Sequence, residues 1–287
     1  MWTIRLLQEW SLPWLQQRGI DNPRLDSDLL LADALGVERL QLFLDPNRPV
    51  VGDELATFKR HLQRRARREP VAYILGRRGF WRQEFMVTSA VLVPRPETEL
   101  LVEAVLETFP PDIQRDPLSI LELGVGSGAV LCSLLLEYAD ALGVGVDISA
   151  AALAVAAENA RQLGTLARST LLQGDLTEPL GDAHRFQVIV ANLPYIATDE
   201  LGQLEPEVGR WEPRQALDGG VDGLAVLRRV PGMVLPFLAD GGLLALEIGA
   251  TQGDAVAAML SAAGLQDVAL RLDYARLPRV VTGRLAG

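Results

Sequence analysis

The chain has 287 residues, 49% hydrophobic and 22% charged, with a net charge of −10. These values fit one or two globular domains, offer no run near the ~18 apolar residues of a membrane span, and weigh against charge-driven binding to duplex nucleic acid. Cys132 is the only cysteine, Lys59 the only lysine, and His61 and His184 the only histidines, which disfavours a disulfide scaffold, lysine Schiff-base chemistry and a histidine metal cluster; no metal site is expected.

The start, Met1-Trp2-Thr3-Ile4-Arg5, lacks the charged segment and apolar block of a secretory signal. With a lone cysteine, the expected compartment is the reducing cytoplasm. Residues 1–80 hold 13 Arg/Lys and 10 Asp/Glu, and the remainder 14 and 27. A mildly basic segment therefore precedes an acidic body.

Residues 1–75 read as a helical domain. Apolar residues recur at helical spacing through Ile4, Leu7, Trp10, Trp14 and Leu15, and again through Leu25, Leu29, Leu30 and Leu35. Trp2, Trp10 and Trp14 are read as its core. A third helix is expected over Val51–Glu69, ended by Pro70, with its basic cluster (Lys59, Arg60, Arg64, Arg65, Arg67, Arg68) mostly on the exposed side. Residues 76–93 read as a linking β-hairpin built on Gly79-Phe80-Trp81 and Glu84-Phe85-Met86-Val87.

Residues 94–287 form the third division. Val93-Pro94-Arg95-Pro96-Glu97-Thr98-Glu99 is a rigid approach to a helix that runs to about Phe109, since two close prolines fix the backbone and allow no helix between them. From Pro117 strands and helices alternate, the mark of a doubly wound α/β sheet. Strands are expected near 118–123, 142–147, 169–173, 186–191 and 242–248, with helices near 127–138, 149–163, 222–238 and 251–263. Two last strands, near 265–272 and 279–285, form a hairpin and give the sheet an antiparallel final strand.

Two turns carry the chemistry. Gly124-Val125-Gly126-Ser127-Gly128 joins the first strand to its helix, where residues without Cβ let the backbone approach a ligand. Asp147 ends the second strand, placed to accept from ribose hydroxyls, a geometry that nicotinamide enzymes share. Glu122 could meet a cationic ligand, or be a plain strand-end acid. Asp175 and Leu176 follow the third strand at the height of an adenine, though a solvated loop Asp serves nearly as well. After the fourth strand comes Asn192-Leu193-Pro194-Tyr195. An amide nitrogen is a weak nucleophile because its lone pair is delocalised. Asn192 Oδ1 and the Leu193 carbonyl can accept its two N–H bonds, Pro194 can hold the acceptors in register, and Tyr195 can stack on the flat group. A glycine loop followed by this turn suits methyl transfer to an amide or amine nitrogen.

With these motifs, the chain resembles the PrmC/HemK protein-glutamine methyltransferases nearly end to end. Gly79-Phe80-Trp81, Leu92 to Glu99, the glycine loop, Asp147, Asn192 to Tyr195 and Glu212-Pro213-Arg214-Gln215-Ala216-Leu217-Asp218-Gly219-Gly220 all take part. The resemblance implies a class I methyltransferase fold behind a helical domain that helps dock class 1 peptide chain release factors. It implies S-adenosylmethionine as donor and the glutamine of a Gly-Gly-Gln motif as acceptor, with neither a membrane nor a nucleic acid as direct partner. The donor site would comprise Glu122, Gly124, Val125, Gly126, Ser127, Gly128, Asp147, Asp175, Leu176 and Asn192. The glutamine site would comprise Asn192, Leu193, Pro194 and Tyr195, with Arg95 and Glu97 beside it. Catalysis would rest on Asn192, Pro194 and Tyr195.

This chain departs from the family at two places: the turn usually reads Asn-Pro-Pro-Tyr where Leu193 stands here, and an aromatic residue usually stands at Leu176. Leu193 keeps the carbonyl the mechanism uses, and losing one proline's restriction costs only ~0.4–1 kcal/mol. Other readings remain open. A DNA adenine methyltransferase would need a base-extruding element that the acidic body does not suggest. A non-catalytic S-adenosylmethionine-binding partner of the translation machinery would not need Asn192, and a nicotinamide oxidoreductase would leave the Asn-x-Pro-Tyr turn unexplained.

Overall fold

The computed structural model describes all residues of the chain except 115, 182 and 183. It divides into two compact units, residues 1–77 with 205–211, and residues 78–204 with 212–287. No helix among the described residues is long and apolar enough to cross a membrane.

The first unit holds α1 (Ile4–Gln16), α2 (Pro23–Leu35), α3 (Arg39–Leu44), α4 (Gly52–Arg65) and α5 (Val71–Leu75). Thr3 caps α1 by accepting from the Leu6 N–H at 3.3 Å, and Pro23 opens α2, where its missing N–H costs nothing. Ile4, Leu7 and Leu15 of α1 pack with Leu30, Leu31, Phe58 and Leu62. The buried seam of α1 is Ile4, Leu7, Ser11 and Leu15, so Trp2 and Trp10 are not its core, while Trp14 packs half-buried against it. Trp2 and Trp10 are exposed, with ring centroids 6.0 Å apart, and Trp10 stacks on Trp14 at 5.9 Å. The seam position one residue beyond Trp10 is a serine whose hydroxyl bonds Ser27 at 2.5 Å. A polar seam residue hid the true helical phase.

The basic run also differs from expectation. α4 stops at Arg65, and Arg68 adopts φ +67°. Lys59, Arg60 and Arg67 face solvent, but Arg65 is buried and binds Asp26 at 2.6 Å and Glu207 at 2.7 Å. Arg68 also binds Glu207 at 2.7 Å. Burial alone would raise the Glu207 carboxyl, but Arg68 and Arg65 outweigh it and hold it below the usual range. Carboxylates inside this unit, one of them from the 205–211 segment, draw half the cluster inward.

In the second unit the hairpin of β1 (Arg77–Phe80) and β2 (Gln83–Met86) is fastened by Asn159. Asn159 Oδ1 accepts from the Met86 N–H at 2.7 Å, and its Nδ2 donates to the carbonyls of Met86 and Ser127. A 3-10 turn over Pro96–Thr98 leads into α6 (Glu99–Thr108). There follow β3 (Ser119–Leu123), α7 (Ala129–Glu137), β4 (Leu142–Asp147), α8 (Ala150–Gln162), β5 (Ser169–Gln173) and β6 (Phe186–Ala191). A four-residue α9 (Pro206–Gly209) lies in the segment that belongs to the first unit. α10 (Val230–Val234), β7 (Leu238–Glu247), α11 (Gly253–Ala262), β8 (Gln266–Leu272) and β9 (Pro278–Arg284) complete the chain.

The seven-stranded sheet has the order β5-β4-β3-β6-β7-β9-β8, and β9, last in sequence, runs antiparallel to both neighbours. Ile120, Val188 and Leu243 pack on one face with α6 and α7, and Leu121, Ile189 and Leu244 on the other with α10 and α11. Burial on both faces is why these strands read as unbroken apolar runs. The long helix expected over 222–238 is only the five residues of α10, because Pro231 and Pro236 break the pattern into short turns. β7 consequently begins at Leu238, earlier than expected.

Removing the Glu207 carboxylate would leave Arg68 with the Gly19 carbonyl and the exposed Asp21, and Arg65 with Asp26 as its carboxylate partner. Glu207→Ala should destabilise the first unit by about 3 kcal/mol. Four of the five tryptophans (Trp2, Trp10, Trp14 and Trp211) lie in that unit, so urea unfolding followed by tryptophan fluorescence reports on it. An unchanged midpoint would mean that these pairs contribute no more than surface ones.

Candidate active site

β3 and β6 pair in parallel, with Leu123 beside Ala191, and the strand order reverses here, the place where open α/β sheets form a crevice. The residue after each strand, Gly124 and Asn192, therefore emerges at the same height. A Cβ on Gly124 would lie 3.1 Å from Leu193 Cδ2 and 3.4 Å from the Asn192 carbonyl oxygen, and Gly124 has φ +72°. Only glycine fits there without strain. The Leu193 side chain is buried in this contact, which gives the departure at that position a packing role.

A cavity of about 470 Å³ opens at the crevice, and Glu122, Gly124, Val125, Gly126, Ser127 and Asp147 line its glycine-loop side. Asp147 is first a brace. Its Oδ2 accepts from the Gly126 N–H and its Oδ1 from the Ser149 N–H, both at 2.9 Å. A carboxylate has about four acceptor positions, so others remain for ligand hydroxyls. Glu122 is buried, and its Oε2 accepts from the Leu131 N–H at 2.8 Å. Burial and then the neighbouring Asp147 charge push its carboxyl well above the usual range. A cation arriving in the cavity would favour the ionised form of this acid. Gly128 starts α7 with φ +78° and is not on the cavity wall.

Asp175, Leu176 and Arg229 line another part of the wall. Leu176 is buried with φ +50°, and Asp175 Oδ2 accepts from Arg229 Nη2 at 2.7 Å. The loop acid thus has a cationic partner that sequence spacing did not reveal.

Asn192, Leu193 and Pro194 line the cavity together with Arg95 and Thr98. Asn192 Nδ2 donates to Thr98 Oγ1 at 3.1 Å, which leaves Oδ1 as the free end of the amide. Tyr195 and Glu97, expected at the glutamine site, are not on the cavity wall. The Tyr195 hydroxyl donates to Glu247 Oε1 at 3.3 Å, and Gln252 Nε2 donates to the Tyr195 carbonyl at 2.9 Å. Burial and Glu247 both raise the phenol's pKa, so it remains a donor. Arg95 Nη2 donates to the buried Glu212 Oε1 at 2.6 Å. That bond ties the Pro-Arg-Pro-Glu-Thr block to the Glu-Pro-Arg block, although 117 residues separate the two side chains.

Sequence reasoning passed over Glu247 and the role of Thr98. The sign was present: Glu247 closes β7 between Leu246 and Ile248, much as Glu122 sits between Leu121 and Leu123 at the end of β3, an acid at an apolar strand end. Glu247 is buried, and burial pushes its carboxyl up to about 7 against the pull of Thr98, Tyr195 and Arg279.

This has a consequence for stability. The unfolded carboxyl titrates near 4.5 and the folded one near 7, so the folded state binds the proton more tightly. Glu247 therefore costs nothing well below pH 4.5 and an increasing amount as pH rises to about 7, reaching on the order of 3 kcal/mol. Glu247→Gln should raise the unfolding free energy markedly at pH 8 and far less at pH 5. Equal gains at both values in chemical denaturation would place the cause elsewhere.

The family pattern described as the PrmC N-terminal domain matches residues 7–76, and that of a methyltransferase domain matches residues 120–211. A release factor glutamine methyltransferase of Caulobacter vibrioides is 46% identical over 98% of this chain and 96% of its own length. One of Geobacter sulfurreducens is 41% identical, with 99% and 98% covered. A solved methyltransferase of Pyrococcus furiosus, 15% identical, superposes with a TM-score of 0.51 over 71% of this chain and 89% of that one, a likeness of fold alone. Identity of this depth along nearly the whole length fixes the lineage: the chain belongs to the release factor glutamine methyltransferase family.

Proposed function

We propose that this protein transfers a methyl group from S-adenosylmethionine to the side-chain amide nitrogen of the glutamine in the Gly-Gly-Gln motif of class 1 peptide chain release factors, in the cytoplasm. The observation that carries this reading is Asn192. Its amide nitrogen is committed to Thr98, and its oxygen is left free beside the glycine loop.

Bound S-adenosylmethionine supplies an electrophilic methyl on a sulfonium. The residues present fit such a ligand: Glu122 is a buried acid for its cationic end, Asp147 has acceptor positions for ribose hydroxyls, and Leu176 offers an apolar surface for adenine. Asp175 has one oxygen outside its pair with Arg229 for the adenine amine. Asn192 Oδ1 accepts one N–H of the target amide and the Leu193 carbonyl the other, which localises electron density on the weak nucleophile and aims it. Pro194 holds the acceptors in register. Both contacts strengthen as the nitrogen becomes positive, so they favour the transition state over the ground state. Tyr195 acts at one remove, through its pinned backbone and its bond to Glu247. The helical first unit, with its exposed tryptophans and the basic residues left facing solvent, serves to capture the release factor.

Incubation of a release factor with the protein and S-adenosylmethionine should add one methyl group to the motif glutamine, located by mass spectrometry. Methylation confined to DNA would overturn the assignment. Asn192→Ala should slow single-turnover transfer by ~10²–10³-fold with donor affinity little changed, and a wild-type rate would remove Asn192 from the chemistry.

Asp147→Ala should weaken donor binding by ~1.5–3 kcal/mol, because a charged acceptor is lost and the Gly126 N–H loses its brace. Asp147→Asn, which keeps one acceptor, should fall between. Unchanged calorimetric affinity in both variants would move the ribose contact elsewhere.

A further inference from the structure

The glycine loop is gripped by two side chains, one from the end of β4 and one from the helix that follows it. Asp147 Oδ2 accepts from the Gly126 N–H at 2.9 Å. Asn159 of α8 donates from Nδ2 to the Ser127 carbonyl at 2.8 Å. The two bonds flank the Gly126–Ser127 peptide, and both of these residues line the cavity. Asn159 itself does not. It reaches the loop because α8 lies close to it: Ala152, Ala156 and Asn159 share one helix face, and a Cβ on Gly128 would lie 3.3 Å from Ala156 Cβ.

The Asn159 amide has no choice of orientation. Its Oδ1 accepts from the Met86 N–H at 2.7 Å, and Nδ2 donates to the Met86 carbonyl at 3.0 Å as well as to Ser127. A primary amide has two N–H donors, so each proton has its own carbonyl. A flipped amide would set its oxygen against both carbonyls and its NH2 against the Met86 N–H. Asn159 is 1% exposed, and a buried group left without its partner is costly. Met86 belongs to the linking hairpin and is not on the cavity wall. One side chain thus binds a strand end behind the wall and a peptide that forms it.

Resting on the donor site proposed above, we infer that Asn159 is a positioning residue for S-adenosylmethionine, which fixes the Ser127 peptide at the donor wall and ties its placement to Met86 of the hairpin.

The test is calorimetric titration of the full chain with S-adenosylmethionine, with thermal unfolding showing that each variant is folded at the temperature used. Asn159→Leu removes all three bonds at similar volume and should raise the donor Kd roughly tenfold to a hundredfold. Asn159→Asp keeps the acceptor for the Met86 N–H but turns a carboxylate toward two carbonyls, so at neutral pH it should bind at least as weakly. Protonation returns one donor to that carboxyl. Its Kd relative to wild type at the same pH should therefore improve as pH is lowered, a recovery that a packing defect would not show. A folded Asn159→Leu that binds within about twofold of wild type, or an Asn159→Asp deficit that is flat with pH, would overturn the inference.

Should both variants fail to fold, hydrogen exchange on the wild-type chain decides. Donor binding should slow the Met86 amide by about threefold or more beyond the Gln83 and Glu84 amides of the same strand; equal slowing would overturn the inference. Asp147→Ala separates the two levels. If it weakens donor binding while Asn159→Leu does not, the role of Asn159 alone fails. If the wild-type chain binds no S-adenosylmethionine, the donor site and the role of Asn159 fail together.

Discussion

The site depends on one register. β3 and β6 are adjacent parallel strands with Leu123 opposite Ala191, and a slip of one residue in either would turn every side chain to the other face. That pairing brings Gly124 and Asn192 out of the sheet together. The backbones then approach so closely that a Cβ at Gly124 would meet both Leu193 and the Asn192 carbonyl. Two loops that are 68 positions apart in the sequence thus form one wall without any bond made for the purpose. Sheet hydrogen bonds, which are numerous and cooperative, hold the chemistry in place.

Around that wall the structure tolerates charge where a stable core would avoid it. Glu122, Glu212 and Glu247 are buried, burial is the leading influence on each, and each carboxyl is held above its ordinary range. Apolar residues of like volume would commonly give a more stable fold. Their distribution has a chemical sense, because a cationic donor and a target amide that gives up one proton on methylation both call for acceptors in a dry place. Perturbed acids gather where function requires them; here Glu122 and Glu247 stand at the ends of β3 and β7, and Glu212 lies in the loop after α9, paired with Arg95.

Much of this was legible in the sequence, and the reasons are particular. Strands covered on both faces leave apolar runs such as Val188 to Ala191, and glycines with positive φ mark the loop at Gly124, Gly126 and Gly128. What escaped was whatever depends on a distant partner. Arg65 and Arg68 look like solvated helix residues until Asp26 and Glu207 are placed beside them. Trp10 holds an apolar period that the buried seam gives to Ser11. The segment from 222 to 238 has a helical composition, but Pro231 and Pro236 leave α10 only five residues. Asp175 read as a free acceptor because nothing in its neighbourhood along the chain announced Arg229, 54 residues away.

The 205–211 segment bears on the order in which this chain folds. Arg68 and its partner Glu207 are 139 residues apart, and the first unit takes that segment as part of its own compact body. During synthesis the five amino-terminal helices leave the ribosome long before the carboxylate that neutralises Arg65 and Arg68 exists. Contacts between distant residues form late because loop closure must come first. The unit made earliest is therefore among the last to be completed, and a fragment ending near residue 77 would hold Arg65 on Asp26 but lack the carboxylate that Arg65 shares with Arg68.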